Sequence, residues 1–152
     1  MEKFKLEYFK NDFPNEDFPY YREIVGEELS KLRERFCNSF GLSHELTPAD
    51  MNKLTYELAK HYYELDNPIT NNNDWKKIIL YSGINIKDDD RVLIKWEEYG
   101  KIDEMIFKDV CKYLYFIWYE PSEEIGLFDN SCEWIIYFFH YGGVRYYNKS
   151  EG

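Results

Sequence analysis

The chain has 152 residues, a fifth of them Phe, Tyr or Trp, and a formal net charge of -10. That length fits one domain with a sizeable core, and the aromatic content excludes disorder despite the charge. The acidity argues against direct contact with a nucleic-acid backbone or an anionic membrane.

Residues 1–18 mix charges with aromatics and read as an arm or a short strand. This start has no signal-peptide pattern, and no apolar run in the chain is long enough to span a membrane, so we expect a cytoplasmic protein. Val25, Leu29, Leu32, Phe36 and Phe40 recur at three and four residues. That spacing predicts a helix over about 20–40, closed by Gly41. Thr47-Pro48-Ala49-Asp50 is a helix start: Thr47 caps, Pro48 suits the first turn and Asp50 supplies the acid of a capping box. Met51, Leu54, Leu58, Tyr62 and Leu65 then share a face, which extends this helix over 47–66 until Asn67-Pro68 stops it. Asp74 is a cap for a third helix over 74–82, ended by Gly83.

In KDDDRVLIKWEEYG the apolar run is short and the aspartates sit where a helix start favours them. It predicts a helix over 89–99. A further helix restarts over 102–110 with Met105, Ile106 and Val110. KYLYFIWYE favours a strand over 112–119, with a helix continuing from 102 to 119 as the alternative. PSEEIGLFDNS is a loop with room for a short strand at its centre. EWIIYFFHYGGVRYYN then predicts a hairpin of strands 133–141 and 144–148, turning on Gly142-Gly143. That turn pairs Tyr141 with Val144 and His140 with Arg145. It puts Trp134, Ile136, Phe138 and His140 on one face with Arg145 and Tyr147, and the Ile135, Tyr137, Phe139 and Tyr141 face with Val144, Tyr146 and Asn148. Both faces are apolar, so both are expected to be covered, the tyrosine face less completely. The whole is an α+β single domain, with helices on one face of a small C-terminal antiparallel sheet.

Chemistry-bearing motifs are absent. Cys37, Cys111 and Cys132 lie at wide spacings and read as small reduced core residues. His44, His61 and His140 have no partner at metal-ligand spacing, and no GxSxG, Walker-type or GxGxxG run occurs. We expect no metal, no cofactor and no catalysis. His140 acting with a carboxylate is the enzymatic alternative, weakened by Arg145 opposite it, which disfavours the charged imidazole.

The pairs Glu27/Glu28, Glu97/Glu98, Asp103/Glu104 and Glu123/Glu124 read as solvent-facing. A binding surface is the better use of such acids, which speed encounter with a basic partner while aromatics among them anchor it. The expected partner-binding set is Asp88, Asp89, Asp90, Trp96, Glu97, Glu98, Tyr99, Asp103 and Glu104, with Glu120, Glu123, Glu124 and Asp129 from the loop 119–133.

Small size, acidity, aromatic richness, the WIIYFFHYGGVRYY hairpin and the lack of a catalytic motif resemble the immunity proteins of bacterial contact-dependent growth inhibition and related polymorphic toxin systems. The resemblance lies in the character of the whole chain, so no residue role carries over with it. It implies a protein that binds a cognate toxin, often a basic nuclease, and covers its active site. A nucleic-acid-mimicking inhibitor from a phage or mobile element is the alternative within the binding class.

Overall fold

A computed structural model describes residues 1–54, 61–64, 72–96, 101–118, 123–139 and 143–151. The helices are α1 Lys3–Asp12, α2 Gly26–Phe40, α3 Pro48–Asn52, α4 Asn72–Ser82 and α5 Phe107–Ile117. The strands are β1 Tyr21–Glu23, β2 His61–Glu64, β3 Arg91–Lys95, β4 Ile102–Ile106, β5 Ile125–Phe128, β6 Trp134–Phe138 and β7 Gly143–Asn148. All seven join one antiparallel sheet in the order β1-β4-β3-β5-β6-β7-β2.

The α+β class stands, but several elements differ from the sequence reading. Residues 1–18 contain helix α1 instead of an arm. The expected helix 20–40 is shortened by β1, and β2 lies within the expected helix 47–66. The expected helix 89–99 contains strand β3, the expected helix 102–110 opens with strand β4, and the expected strand 112–119 is mostly the second half of α5. The short strand expected inside PSEEIGLFDNS is β5.

Burial explains these exchanges. In β3, Val92, Leu93, Ile94 and Lys95 are all buried, because β3 is an inner strand with both faces covered. Such a strand reads as a continuous apolar run and loses the alternation that marks a strand at the surface. In α5 the buried Phe107, Val110, Leu114 and Ile117 recur at three and four residues. That helical spacing outweighs the strand preference of its aromatic and branched side chains.

Helices cover both faces of the sheet, not one. Leu32, Phe36, Cys37 and Phe40 of α2 pack with Leu93, Phe128, Ile135 and Tyr137 on one face. Trp75 and Ile78 of α4 and the inner residues of α5 pack with Val92, Ile94, Leu127, Ile136 and Phe138 on the other. Helix α1 lies against α5, where Phe9 meets Tyr113 and Phe116 edge-on at 5.3 and 5.5 Å. Cys37 and Cys132 are fully buried with free thiols, and Cys111 is half-buried.

Local stops and starts follow the chemistry of their residues. Gly41 closes α2 at φ +64°, and the Leu42 N–H reaches back to the Cys37 carbonyl at 2.8 Å. At α3 the Thr47 hydroxyl accepts from the Asp50 N–H while the Asp50 carboxylate accepts from the Thr47 N–H, a complete capping box. Asp74 falls inside the first turn of α4 instead of capping it, and Gly83 beyond its end has φ +64°.

The C-terminal hairpin keeps its strands but not its register. Phe138 pairs with Val144 and Tyr137 with Arg145, and the Phe139 N–H donates to the Gly143 carbonyl at 2.9 Å. Gly143 is thus a strand residue and not the second residue of a two-residue turn. The pairing differs from the expected one by three positions, and an odd slip reverses which residues share a face. Trp134, Ile136 and Phe138 therefore lie with Val144, Tyr146 and Asn148, while Tyr137 faces the α2 side with Arg145. Tyr137 itself is only 4% exposed, but Arg145 and Tyr147 on its side of β7 are half-buried whereas Val144, Tyr146 and Asn148 opposite are buried, so this face is the less completely covered of the two. His140 and Tyr141 fall outside the described residues, as does the expected His140–Arg145 pair.

Gly126 of β5 lies opposite Tyr137, whose ring covers it. A β-carbon at Gly126 would sit 3.1 Å from that ring and 3.2 Å from the Ile135 side chain. Gly126→Val is expected to cost about 1–3 kcal/mol through overpacking, measured by urea unfolding.

Candidate protein-docking groove

The expected binding residues divide sharply by environment. Asp88, Asp89 and Asp90 are exposed and form the turn before β3. The turn is built by its own polar atoms: the Lys87 N–H donates to the Asp90 carboxylate at 2.8 Å. It is also tied to α5, because the Asp90 and Asp88 carbonyls accept from the Phe107 and Lys108 N–H groups at 2.8 and 2.9 Å. The Asp89 carboxylate takes the Lys108 ammonium at 2.6 Å, a hydrogen bond that holds the lysine above its ordinary pKa. The Asp88 carboxylate has no hydrogen-bond or ion-pair partner among the described residues and stands open to solvent.

Trp96, Asp103, Glu104 and Glu123 are buried instead, and this corrects their expected place on a surface. Trp96 donates its indole N–H to Asp103 at 2.7 Å, and Asp103 also holds the Met1 amine at 2.5 Å. Glu104 lies at 2.7 Å from Arg91 and 3.4 Å from Arg22, and Arg22 is also forked onto Glu28. Glu123 takes the Lys5 ammonium on both oxygens, at 2.7 and 2.8 Å. These acids are internal ties because cations from α1, β1 and β3 are delivered to them. Asp129 is half-buried and organises its own loop, accepting from the Ser131 N–H and the Trp134 indole. Glu124 is half-buried, and Glu97, Glu98, Tyr99 and Glu120 lie outside the described residues.

Beside the exposed aspartates runs a groove of about 520 Å3 between α4, the segment 83–88 and the first turns of α5. Trp75, Ile79, Ile84, Ile86, Phe107 and Cys111 form its wall, and Lys76, Asp88 and Lys108 also line it. Burial, and to a lesser extent the Asp88 charge, pushes the Cys111 thiol up to about 12. At neutral pH it is a small apolar wall group and not a nucleophile. Leu80, 85% exposed, also lines the groove, and the neighbouring Tyr81 is 54% exposed. Trp75 is 1% exposed, packed edge-on against Phe138 and Phe107, and its indole N–H has no acceptor among the described residues.

The groove was not among the expected site residues. Its signal is the unbroken apolar run Ile78-Ile79-Leu80-Tyr81, which wraps more than one face of a helix. A helix packed on one side has room for only part of such a run, so the remainder must face a partner or solvent.

His44 is an exposed loop residue bonded to Asn38 at 2.9 Å. Among the described residues, no group of three or more His, Cys, Asp or Glu is placed to hold a metal ion, and no helix is long and apolar enough to cross a membrane. No protein-family model, no curated protein and no solved structure matches the chain.

Proposed function

We propose that the chain is a cytoplasmic inhibitor of the immunity type, which binds a basic toxin domain and occludes its active site. The reading is carried by one juxtaposition: exposed Asp88, whose carboxylate has no partner among the described residues, beside a largely apolar groove rimmed by exposed Leu80. Acids steer a basic partner into encounter, and apolar or aromatic anchors then hold it. Blocking requires no chemistry from the inhibitor, which fits a chain without a catalytic motif. A mimic of nucleic acid would need a long row of exposed carboxylates. Asp103, Glu104 and Glu123 are neutralised inside the fold, which favours the protein-anchoring reading.

The test is Asp88→Lys/Asp89→Lys, which leaves Asp90 to close the turn. A partner captured by the native chain from its source cells should be a basic protein. It should associate with the variant about tenfold more slowly or worse, with a flatter dependence on salt. Capture of no basic protein, or association rates equal for both chains across the salt range, sinks the proposal.

A further inference from the structure

We infer that a second copy of this chain covers the α4–α5 groove, through a two-fold contact in which Leu80 of each copy enters the groove of the other and Lys76 of each meets Asp88 of the other. The inference uses the same face as the docking reading above and names what closes that face when the basic partner is absent.

A two-fold contact joins one patch to itself, so the patch must carry both halves of every interaction. This patch does so in shape. Leu80 is 85% exposed at the rim of a groove of about 520 Å3 whose wall includes Ile79, Ile84, Ile86 and Phe107. A projecting leucine beside an apolar recess is a knob and its hole on one surface, and burying both removes apolar area from water twice over. The patch does so in charge as well. Lys76 and Asp88 both line the groove, both are exposed, and neither has a hydrogen-bond or ion-pair partner among the described residues. They are opposite in sign, so a copy turned about a two-fold axis supplies an acid for the lysine and a lysine for the acid. The other charge lining the groove, Lys108, is held by Asp89 at 2.6 Å. With Asp89 the face carries two cations and two anions, whereas the whole chain carries a net charge of -10. Excess like charge keeps copies of such a chain apart, and a face whose own charges balance escapes most of that repulsion.

Sedimentation equilibrium of the full chain, from micromolar to submillimolar concentration, should show a reversible monomer–dimer equilibrium. Leu80→Glu should weaken it about a hundredfold, because a symmetric contact buries the leucine twice. Lys76→Glu and Asp88→Lys should each weaken it about tenfold, since each turns two attractions into two repulsions. An equimolar mixture of these two variants should associate as tightly as the native chain, because both pairs across the contact are then of opposite sign. All three side chains are exposed, so the variants should fold as the native chain does. A chain that stays monomeric, growth past the dimer, a Leu80→Glu variant that dimerises like the native chain, or a mixture no tighter than its components overturns the inference. The docking reading fails separately: a dimer with these properties and no captured basic protein refutes that reading alone, and a captured basic protein with a monomeric chain refutes this inference alone.

Discussion

Replacing Lys5 with methionine should lower the stability of the folded chain by about 3–5 kcal/mol, read from urea unfolding at constant slope. Lys5 is 1% exposed, although lysine is among the residues least often buried. Its ammonium donates to both oxygens of Glu123 and to the Ile117 carbonyl, at 2.7, 2.8 and 2.7 Å, so all three of its donors are used. It also lies 3.9 Å from the centre of the Trp96 ring. Removing the cation leaves the Glu123 carboxylate buried without its main counter-charge, which is where the cost arises. Removing both charges, as in Lys5→Met/Glu123→Leu, should recover most of the loss, because the pair owes little net stability to its own attraction. An additive double variant would show that Lys5 acts by packing alone.

Phe138→Ala should cost a similar amount, about 3–5 kcal/mol, by opening a cavity that its neighbours cannot close. Phe138 is fully buried, 5.0 Å from the Trp75 ring and 5.5 Å from the Trp118 ring. It sits across from Ile125 and Val144 in the sheet, so it joins α4, the end of α5 and three strands. For a domain of this size the loss corresponds to a fall in Tm of roughly 6–20 °C, measurable by calorimetry. Tyr8→Ala offers the contrast: that ring is 56% exposed, and its loss should stay within about 0.5 kcal/mol.

Legibility in the sequence followed the locality of the cause. The stop at Gly41, the capping box of Thr47 and Asp50 and the glycine after α4 depend on residues within a few positions of each other, and each was readable. Strands β3 and β4 were not, because their conformation is decided by partners far along the chain. The same apolar run Val92-Leu93-Ile94 fits a short buried helix or an inner strand equally well until β4 and β5 are known to flank it. Helix α1 was hidden for a related reason. One of its two buried residues is Lys5, and a buried cation looks like a surface residue until its carboxylate partner, more than a hundred positions away, is in view. The hairpin register failed on one assumption, that two glycines mean a two-residue turn. Of the candidate site, the acidic turn at 88–90 was readable from charge. The groove beside it was not, since its wall is assembled from α4, the following loop and α5.

The strand order also constrains how the chain can acquire its structure during synthesis. β2 is made early, yet its sheet partner is β7, the last in chain order of the described strands. β1 likewise waits for β4, while β3 to β7 form a contiguous block that supplies the middle of the sheet. A nascent chain therefore carries two strands without partners until the later part has been translated. Closing such distant pairs is slow relative to local contacts, so β1 and β2 are expected to be added late, with β3 to β7 as the template.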